Sequence, residues 1–367
     1  MSAFTGITVD REALIANYAT VAEQVAPSGV IAVVKANAYG HGAADAARAF
    51  VDAGAEWLGV ADIDEGIALR QAGIDEGVRI LAWLHAPDED FRRAAQYGIT
   101  PAVSSVSQLA AAADSEVPEV HICVDTGLSR NGAVESEWPE LFETAGRLAR
   151  NGARTRVEGL MSHLSNASRT DDLDQDAALQ RAIDGLGAFG IVPPMVHLAA
   201  SAASLAVPET RRDLARVGIA LYGLSPFADR TSADLGLRPA MRLTASVLRT
   251  VVVPAGDGVS YGYTWRAESD TRLAVIGLGY ADGFDRAFGN RVVVRIGDRT
   301  FPVVGRVAMN AMHIDIGDAD VAVGDEVVLW GDPANGDPAV EDWAAAVGTI
   351  NYEVVARLGR SIERRTT

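Results

Sequence analysis

The sequence predicts an α/β fold in which a (β/α)8 barrel of the TIM type is followed by a mostly-β C-terminal domain. Apolar stretches and helical stretches alternate eight times over about 220 residues, which is the pattern that a closed eight-stranded barrel requires. No glycine-rich dinucleotide-binding turn follows the first strand, so a doubly wound open sheet is disfavoured. Beyond about Arg238 the helical stretches give way to strands separated by glycine-containing turns.

Local patterns predict the elements of the barrel in order. Residues 6–9 form a short strand, and Asp10 then caps a helix with an apolar face. The first barrel strand, residues 30–34, ends at Lys35. The later elements are helix 43–53 and strand 57–61, helix 64–72 and strand 79–84, helix 88–97 and strand 100–103, helix 106–113 and strand 119–124, helix 138–150 and strand 157–163, helix 171–189 and strand 195–199, and finally strand 214–217.

The second half of the chain is predicted to be mostly strands. These lie at 243–253, 273–278, 291–296, 301–307, 312–316 and 326–330, with a helix at 341–347 and another starting near Tyr352. We therefore assign residues 11–235 to the barrel. Residues 1–10 and 236–367 are assigned to the mostly-β domain.

Composition excludes several classes of function. The net charge of −17 argues against binding to a nucleic-acid backbone. The single cysteine rules out an internal disulfide and is typical of a reducing cytoplasm. No charged segment with a long apolar core opens the chain, and no run of 18 apolar residues occurs, so we expect a soluble cytoplasmic protein without a membrane anchor. No metal-binding pattern is predicted.

Lys35 is the only lysine of the chain, because the other 31 of the 32 basic residues are arginine. Arginine stays charged and cannot form a Schiff base. A lysine near apolar neighbours can lose its proton and become a nucleophile or a base. The plain alternative is an ordinary lysine at the end of a strand. The use of arginine everywhere else favours a chemical role for Lys35.

Other polar residues are predicted where barrel strands end, which is where the active sites of such barrels lie. They are Arg130, His163, His197 with Ser201 after it, and Arg216. Free N–H groups of Gly218 and Ile219 at the start of a short helix would form an anion site, to which Ser201 adds a hydroxyl. Taken singly, the two histidines could equally be packed core residues and the serine a helix cap.

A lone lysine that faces a phosphate site suggests pyridoxal phosphate as cofactor. The chain resembles the alanine racemases in seven motifs that stand in the family's order. They are residues 33–42 (VVKANAYGHG), 124–132 (VDTGLSRNG), 161–164 (MSHL), 216–219 (RVGI), 259–262 (VSYG), 276–283 (IGLGYADG) and 350–353 (INYE). The resemblance implies the interconversion of L- and D-alanine, which supplies D-alanine for peptidoglycan.

The resemblance also implies roles for single residues. Two bases flank the substrate, Lys35 on one face and Tyr261 of the partner subunit on the other, so an obligate homodimer with shared active sites is expected. A phenol needs nearby positive charge to act near neutral pH. The phosphate is implied to be held by Tyr39, Ser201, Gly218, Ile219 and Tyr352. Arg216 is implied to face the pyridine nitrogen, with His163 and His197 beside it. The substrate carboxylate is implied to bind Arg130 and the Met309 N–H, and the pocket to be restricted to small side chains by Tyr280 and Tyr352.

Three positions depart from the family pattern. Cys123 stands where many members have a carbamylated lysine whose negative charge positions the arginine that matches Arg130. With no second lysine that modification is excluded, so we expect another anion, such as chloride, between Cys123 and Arg130. Asn310 replaces the usual aspartate after the methionine, and Ala200 replaces a common asparagine. Both leave the substrate preference open.

Three alternative functions remain at this stage. A racemase of broader specificity, for serine or other amino acids, is disfavoured by the two restricting tyrosines. A non-catalytic pyridoxal-phosphate-binding barrel protein generally lacks the β domain that is predicted here. A decarboxylase of the same fold would need a cysteine or an acidic residue for the distal part of its substrate, and none stands in register.

Overall fold

The structure is a computed structural model and describes residues 4–359 and 362–367. Its strands, in chain order, are β1 Thr5–Val9, β2 Gly29–Val33, β3 Trp57–Val60, β4 Arg79–Ala82, β5 Ile99–Val103, β6 Glu119–Cys123, β7 Arg156–Met161, β8 Met195–Ala200, β9 Leu214–Val217, β10 Met241–Val253, β11 Gly258–Val259, β12 Trp265–Arg266, β13 Thr271–Ile276, β14 Val293–Ile296, β15 Arg299–Val304, β16 Met312–Asp315, β17 Glu326–Trp330 and β18 Glu363–Thr366.

The helices are α1 Arg11–Val25, α2 Lys35–Tyr39, α3 Ala43–Asp52, α4 Ile63–Gln71, α5 Phe91–Tyr97, α6 Val106–Asp114, α7 Trp138–Arg150, α8 Arg169–Ala188, α9 Ser201–Ala206, α10 Val340–Val347 and α11 Asn351–Ala356. Several begin where a side chain accepts a hydrogen bond from the first turn, as at Asp10, Asp62 and Ser168. These caps explain why the predicted starts of the helices are correct to within three residues.

Strands β2 to β9 close a parallel barrel, which confirms the predicted (β/α)8 fold. Each strand pairs with its neighbours in sequence, and β9 returns to pair with β2. A layer of apolar side chains fills the interior, contributed by seven of the eight strands: Ile31, Trp57, Leu81, Ala102, Cys123, Met161 and Leu214. The polar groups of the barrel mouth are therefore supported from below by a packed core.

The second half of the chain forms an antiparallel sheet around the long strand β10, as predicted. The first part of β10 pairs with β17 and its last part pairs with β13, so these strands form a ring with β14, β15 and β16. Strand β1 pairs with β10 and with β18. That pairing supports our proposal that residues 1–10 belong with 236–367 rather than with the barrel.

The segment after β2 has an unusual backbone conformation. Residues 36–39 form a helical turn with left-handed dihedral angles. The sequence gives no sign of it, because none of these residues is glycine.

Among residues 4–359 and 362–367, no helix combines the length and the apolar character needed to cross a membrane.

Candidate active site

Lys35 lies directly after β2, at the mouth of the barrel, with its Nζ 5.7 Å from the ring centre of Trp83. The pKa of the Lys35 ammonium is lowered, first by burial and then by the positive charge of Arg130. Both effects favour the neutral amine, which is the form that attacks a carbonyl or takes up a proton. The ordinary strand-end lysine would be exposed and fully charged, so the surroundings of Lys35 are those of a reactive group.

The turn after Lys35 is left-handed. Ala36, Asn37, Ala38 and Tyr39 have φ values of 53°, 54°, 54° and 52°. Each such residue costs about 1–2 kcal/mol relative to a right-handed conformation, because its Cβ crowds the backbone. Four in succession exist only where surrounding contacts impose them. Strain of this kind beside a reactive lysine marks a segment whose geometry serves the site.

A cradle of small and hydroxylated residues lies next to this turn. A Cβ built on Gly218 would come within 2.2 Å of the Tyr39 hydroxyl, so only glycine allows this approach. The prediction of a free Gly218 N–H is wrong, because this group donates to Ser201 Oγ at 3.0 Å. Ile219 opens a 3-10 turn, whose first N–H groups have no partner within the turn. The Tyr39 ring lies 6.0 Å from that of Tyr352, which completes the cradle.

Arg216 is fully buried and organises the centre of the mouth. Its Nη1 donates to His197 Nδ1 at 2.8 Å and to the His197 carbonyl at 3.1 Å. Its Nη2 donates to His163 Nδ1 at 3.1 Å, and to the carbonyls of Ser162 at 2.5 Å and Leu198 at 2.9 Å. Burial lowers the pKa of Arg216 to about 10, which leaves the guanidinium charged at neutral pH.

These bonds fix the tautomers of the histidines. A guanidinium has no acceptor, so Nδ1 of His163 and of His197 must each be unprotonated and accept. Burial and then the charge of Arg216 lower the pKa of His163 to about 2 and that of His197 well below its ordinary value. Both rings are therefore neutral with the proton on Nε2, and each can donate from that atom.

His121 is a member of this network that the sequence did not identify. Its Nδ1 lies 2.8 Å from His197 Nε2, and burial lowers its pKa to about 3. It lies inside β6, where it is one polar residue within a run of buried residues. The available signal was the alternation of the strand, which places His121 and Cys123 on the same inward face.

Arg130 lies in the loop after β6, near Lys35, His163 and Arg216, since its charge lowers the pKa of all three. Cys123 is buried at the end of β6, and burial raises the pKa of its thiol to about 11. The thiol is therefore neutral at pH 7. Cys123 supplies no negative charge toward Arg130.

The remaining predicted site residues lie apart from the mouth, in the β domain. Tyr261 is 63% exposed, Met309 54% and Tyr280 41%. Tyr280 and Met309 belong to adjoining loops, because the Tyr280 N–H donates to Ala308 and the Ala281 N–H to Met309. Asn310, next in the chain, is also exposed. Within residues 4–359 and 362–367, none of Tyr261, Tyr280, Met309 and Asn310 shares a hydrogen bond or ring contact with Lys35 or Arg216.

The residues of the mouth fit pyridoxal phosphate. Arg216 uses Nη1 and Nη2 on protein acceptors, and its Nε–H makes no hydrogen bond within the described residues, so this donor remains for a ring nitrogen. The absence of a side chain at Gly218 lets the Tyr39 hydroxyl approach the backbone, next to the first N–H groups of the 3-10 turn that could bind a phosphate. Lys35 supplies the amine that an aldehyde cofactor needs.

Comparison with known proteins agrees with this geometry. The alanine racemase N-terminal domain model matches residues 9–226 and the alanine racemase C-terminal domain model matches residues 240–366. Alanine racemase of Mycolicibacterium vanbaalenii is 43% identical over 358 residues, 95% of this chain and 90% of that protein. That of Salinispora tropica is 45% identical over 338 residues, 90% of this chain and 89% of that protein.

Solved structures show the same likeness. The crystal structure of alanine racemase from D-cycloserine producing Streptomyces lavendulae matches with a TM-score of 0.96 at 38% identity, covering 100% of this chain and 98% of that one. That of Streptomyces coelicolor matches with a TM-score of 0.96 at 36% identity, covering 99% of this chain and 98% of that one. Likeness in sequence, in both domains and in fold leads to one conclusion: this chain belongs to the alanine racemase family.

Proposed function

We propose that this protein interconverts L- and D-alanine with pyridoxal phosphate as cofactor, and so supplies D-alanine for peptidoglycan. The observation that carries the proposal is the position of the only lysine, at the barrel mouth between the Tyr39–Gly218 cradle and the buried Arg216. The names of the relatives at 43–45% identity support alanine as the substrate.

The cofactor, when bound, withdraws electrons from the Cα of an amino acid and so makes its proton easier to remove. Lys35 would hold the cofactor through its amine, and with substrate bound the same amine would remove or return the Cα proton on one face. The lowered pKa of Lys35, caused first by burial, favours the neutral amine. Arg216 would donate from Nε to the ring nitrogen of the cofactor without transferring its proton, which would limit charge delocalisation and favour prompt return of the proton to Cα.

Racemisation also needs a proton donor on the opposite face of Cα. In a dimer we assign this role to Tyr261 of the partner subunit, because the side chain is exposed in the single chain and free to enter another mouth. His163 would meet it with an Nε2–H, since Arg216 occupies Nδ1. That donor would form a hydrogen bond with the phenolic oxygen and so orient the tyrosine for proton transfer.

Recognition of a small amino acid follows from the same parts. Arg130, whose charge lowers the pKa of Lys35 and of His163, would bind the substrate carboxylate together with the Met309 N–H from the partner subunit. Tyr352 beside the cradle and Tyr280 from the partner would leave room for a methyl group but little more. Such a pocket favours alanine over larger amino acids.

The test compares wild type, Tyr261→Phe and Tyr263→Phe in racemisation and α-deuterium exchange with L-alanine, D-alanine and L-serine. Tyr263 is the control, because it lies in the same turn and is 59% exposed. We expect wild type and Tyr263→Phe to racemise alanine, and Tyr261→Phe to lose at least about a hundredfold in kcat. A wild type that carries cofactor and racemises no amino acid would overturn the proposal, and faster turnover of serine would assign it another substrate.

A further inference from the structure

The left-handed turn that carries Lys35 is held at both ends by contacts from distant parts of the chain. At its far end, Arg364 Nε donates to the Gly40 carbonyl at 2.7 Å, and a Cβ on Gly40 would lie 2.2 Å from the Val355 carbonyl oxygen. At its near end, the Ala36 N–H donates to Glu65 Oε1 at 2.7 Å. The near end matters most for chemistry, because the Ala36 N–H belongs to the peptide bond that follows Lys35.

Glu65 does not have the role that its local sequence predicts. It is the third residue of α4, after the N-cap Asp62, and a glutamate at this position ordinarily accepts from the N–H of the cap residue. Here Glu65 Oε2 instead accepts from the Ala61 N–H at 2.8 Å, while Oε1 reaches Ala36 in the preceding βα unit. One carboxylate thus joins the end of β3 to the turn after β2.

We propose that Glu65 is a positioning residue, whose carboxylate fixes the Lys35–Ala36 peptide so that the lysine side chain lies over Trp83 at the barrel mouth. The claim that this position serves catalysis rests on the proposed function. The structural part stands by itself. A rigid carboxylate is needed because the turn is strained, and an anion accepts from two amides more strongly than a neutral group. Its charge also lies near enough to Lys35 to counter part of the effect of Arg130.

The single lysine offers a specific probe of this turn. Endoproteinase Lys-C cleaves after lysine, so the full-length protein has one cleavable bond, Lys35–Ala36, and yields fragments 1–35 and 36–367. Cleavage requires the turn to open, and its rate follows the population of the open form when opening is rapid and reversible. Treatment with hydroxylamine followed by dialysis removes any cofactor that would block the lysine.

We expect Glu65→Gln to raise the rate of cleavage roughly ten- to a hundredfold, since the amide can accept from only one of the two N–H groups. Glu65→Asp keeps the charge but is shorter by one methylene, so it should also cleave faster. Asp64→Asn is the matched control. It removes a carboxylate from the same helical turn, where Asp64 pairs with Arg93 and not with Ala36, and it should cleave at the wild-type rate.

Cleavage in low concentrations of urea separates positioning from general destabilisation. Local opening exposes little surface and so depends weakly on urea, whereas cleavage through global unfolding accelerates steeply. A fast, urea-insensitive cleavage in the Glu65 variants supports the proposal. The proposal would be overturned if the Glu65 variants were cleaved at the wild-type rate. It would also be overturned if their cleavage rate rose with urea in step with global unfolding.

Activity gives a second readout. If Glu65 positions Lys35 for proton transfer, Glu65→Gln lowers kcat for alanine at least tenfold while KM changes little. Unchanged kcat together with fast cleavage would overturn the catalytic part alone. Because cleavage is measured without substrate, a wild type that failed to racemise alanine would refute the proposed function and leave the cleavage result intact.

Discussion

At the scale of single residues, Arg216 does what no other side chain could do at its position. Its terminal nitrogens donate to two imidazoles and three carbonyls, and it faces the mouth with a sixth contact still available at Nε. A lysine has three N–H donors from one point and would leave some of these buried acceptors unpaired. The arginine therefore sets the protonation of His163 and His197 while it remains a donor for a ligand.

The pair Cys123 and Arg130 leads to a prediction about chloride. The Cys123 thiol is neutral, because burial raises its pKa to about 11, so nothing from this residue balances Arg130. We expect a bound chloride to supply the charge that orients the guanidinium. Replacing chloride by gluconate should raise KM for alanine about fivefold. A change of this size corresponds to the free energy of one partly exposed ion pair.

Steady-state kinetics in the two salts at equal ionic strength measures this effect. Cys123→Ser stays neutral and should keep the dependence on chloride. Cys123→Asp supplies a fixed charge and should remove it. The same KM in both salts for wild type would contradict the prediction, as would a bromide-soaked crystal without anomalous density beside Arg130.

At the scale of elements, the turn between β2 and α3 depends on Gly40. This residue has φ +84° and lies against the Val355 carbonyl. We predict that Gly40→Ala destabilises the protein by about 2–4 kcal/mol, through the unfavourable φ and the clash together. Urea unfolding followed by circular dichroism measures the loss.

Gly256→Ala provides the control for backbone conformation alone. Gly256 has φ +87° and nothing within 4 Å of the position of its Cβ, so its replacement should cost only about 1 kcal/mol. Equal losses in the two variants would show that the contact with Val355 carries no energy.

Sequence periodicity was sufficient to predict most helices and strands but not the turn between β2 and α3. Strand 214–217 was predicted with the bounds that the structure has. The left-handed turn 36–39 was not predictable, because its residues prefer other conformations and contacts from distant residues, among them Glu65, Val355 and Arg364, hold this segment. Strand β18 was missed for a similar reason. It is formed largely by charged residues, Glu363, Arg364 and Arg365, and follows from its pairing with β1.

The residues of the candidate site also differ in whether the sequence could identify them. Lys35, Arg216 and Ser201 could be found because chemistry-bearing residues at strand ends stand out from an apolar strand. His121 could not be found in that way, because it is one polar residue within a buried strand and its importance arises from contact with His197 on another strand. Contacts between strands are set by the closure of the barrel, which no local pattern encodes.

At the scale of the whole molecule, the histidines make the fold sensitive to acid. All six have lowered pKa values, chiefly through burial, with His41 and His85 at about 4 and His121 at about 3. Below their unfolded pKa of about 6.5 the unfolded chain binds protons that the folded chain excludes. Stability therefore falls as pH drops from 6.5, and above that pH these groups contribute nothing.

We predict that the free energy of unfolding decreases by several kcal/mol between pH 6.5 and pH 5. Each buried histidine contributes at most about 1.4 kcal/mol per pH unit. Urea unfolding at half-unit intervals measures the slope. His85 lies outside the proposed site, and His85→Gln should reduce the slope of unfolding free energy against pH by the contribution of one histidine. A wild-type free energy of unfolding that does not change with pH would contradict the prediction.

The proposed division of the site between two chains belongs to the scale of the whole molecule. In the single chain five large apolar or aromatic side chains of the second half are exposed, namely Tyr261, Tyr263, Tyr280, Met309 and Ile350. Exposed patches of this kind mark interfaces. If each mouth receives Tyr261 of the partner subunit, a Lys35→Ala chain and a Tyr261→Phe chain are each inactive because each lacks one of the two bases. In a dimer of the two chains, each chain supplies the base that the other lacks.

We therefore predict that the two inactive chains restore activity when they are unfolded together and refolded as a mixture. Half of the randomly formed dimers are hybrids, and in each hybrid one site combines an intact Lys35 with an intact Tyr261. About a quarter of the wild-type activity should return. The Tyr261→Phe and Lys35→Ala chains refolded separately and then mixed briefly are the control, and they should stay inactive until subunits exchange. If the mixture remains inactive while size-exclusion chromatography shows hybrid dimers, Lys35 and Tyr261 do not act across the interface.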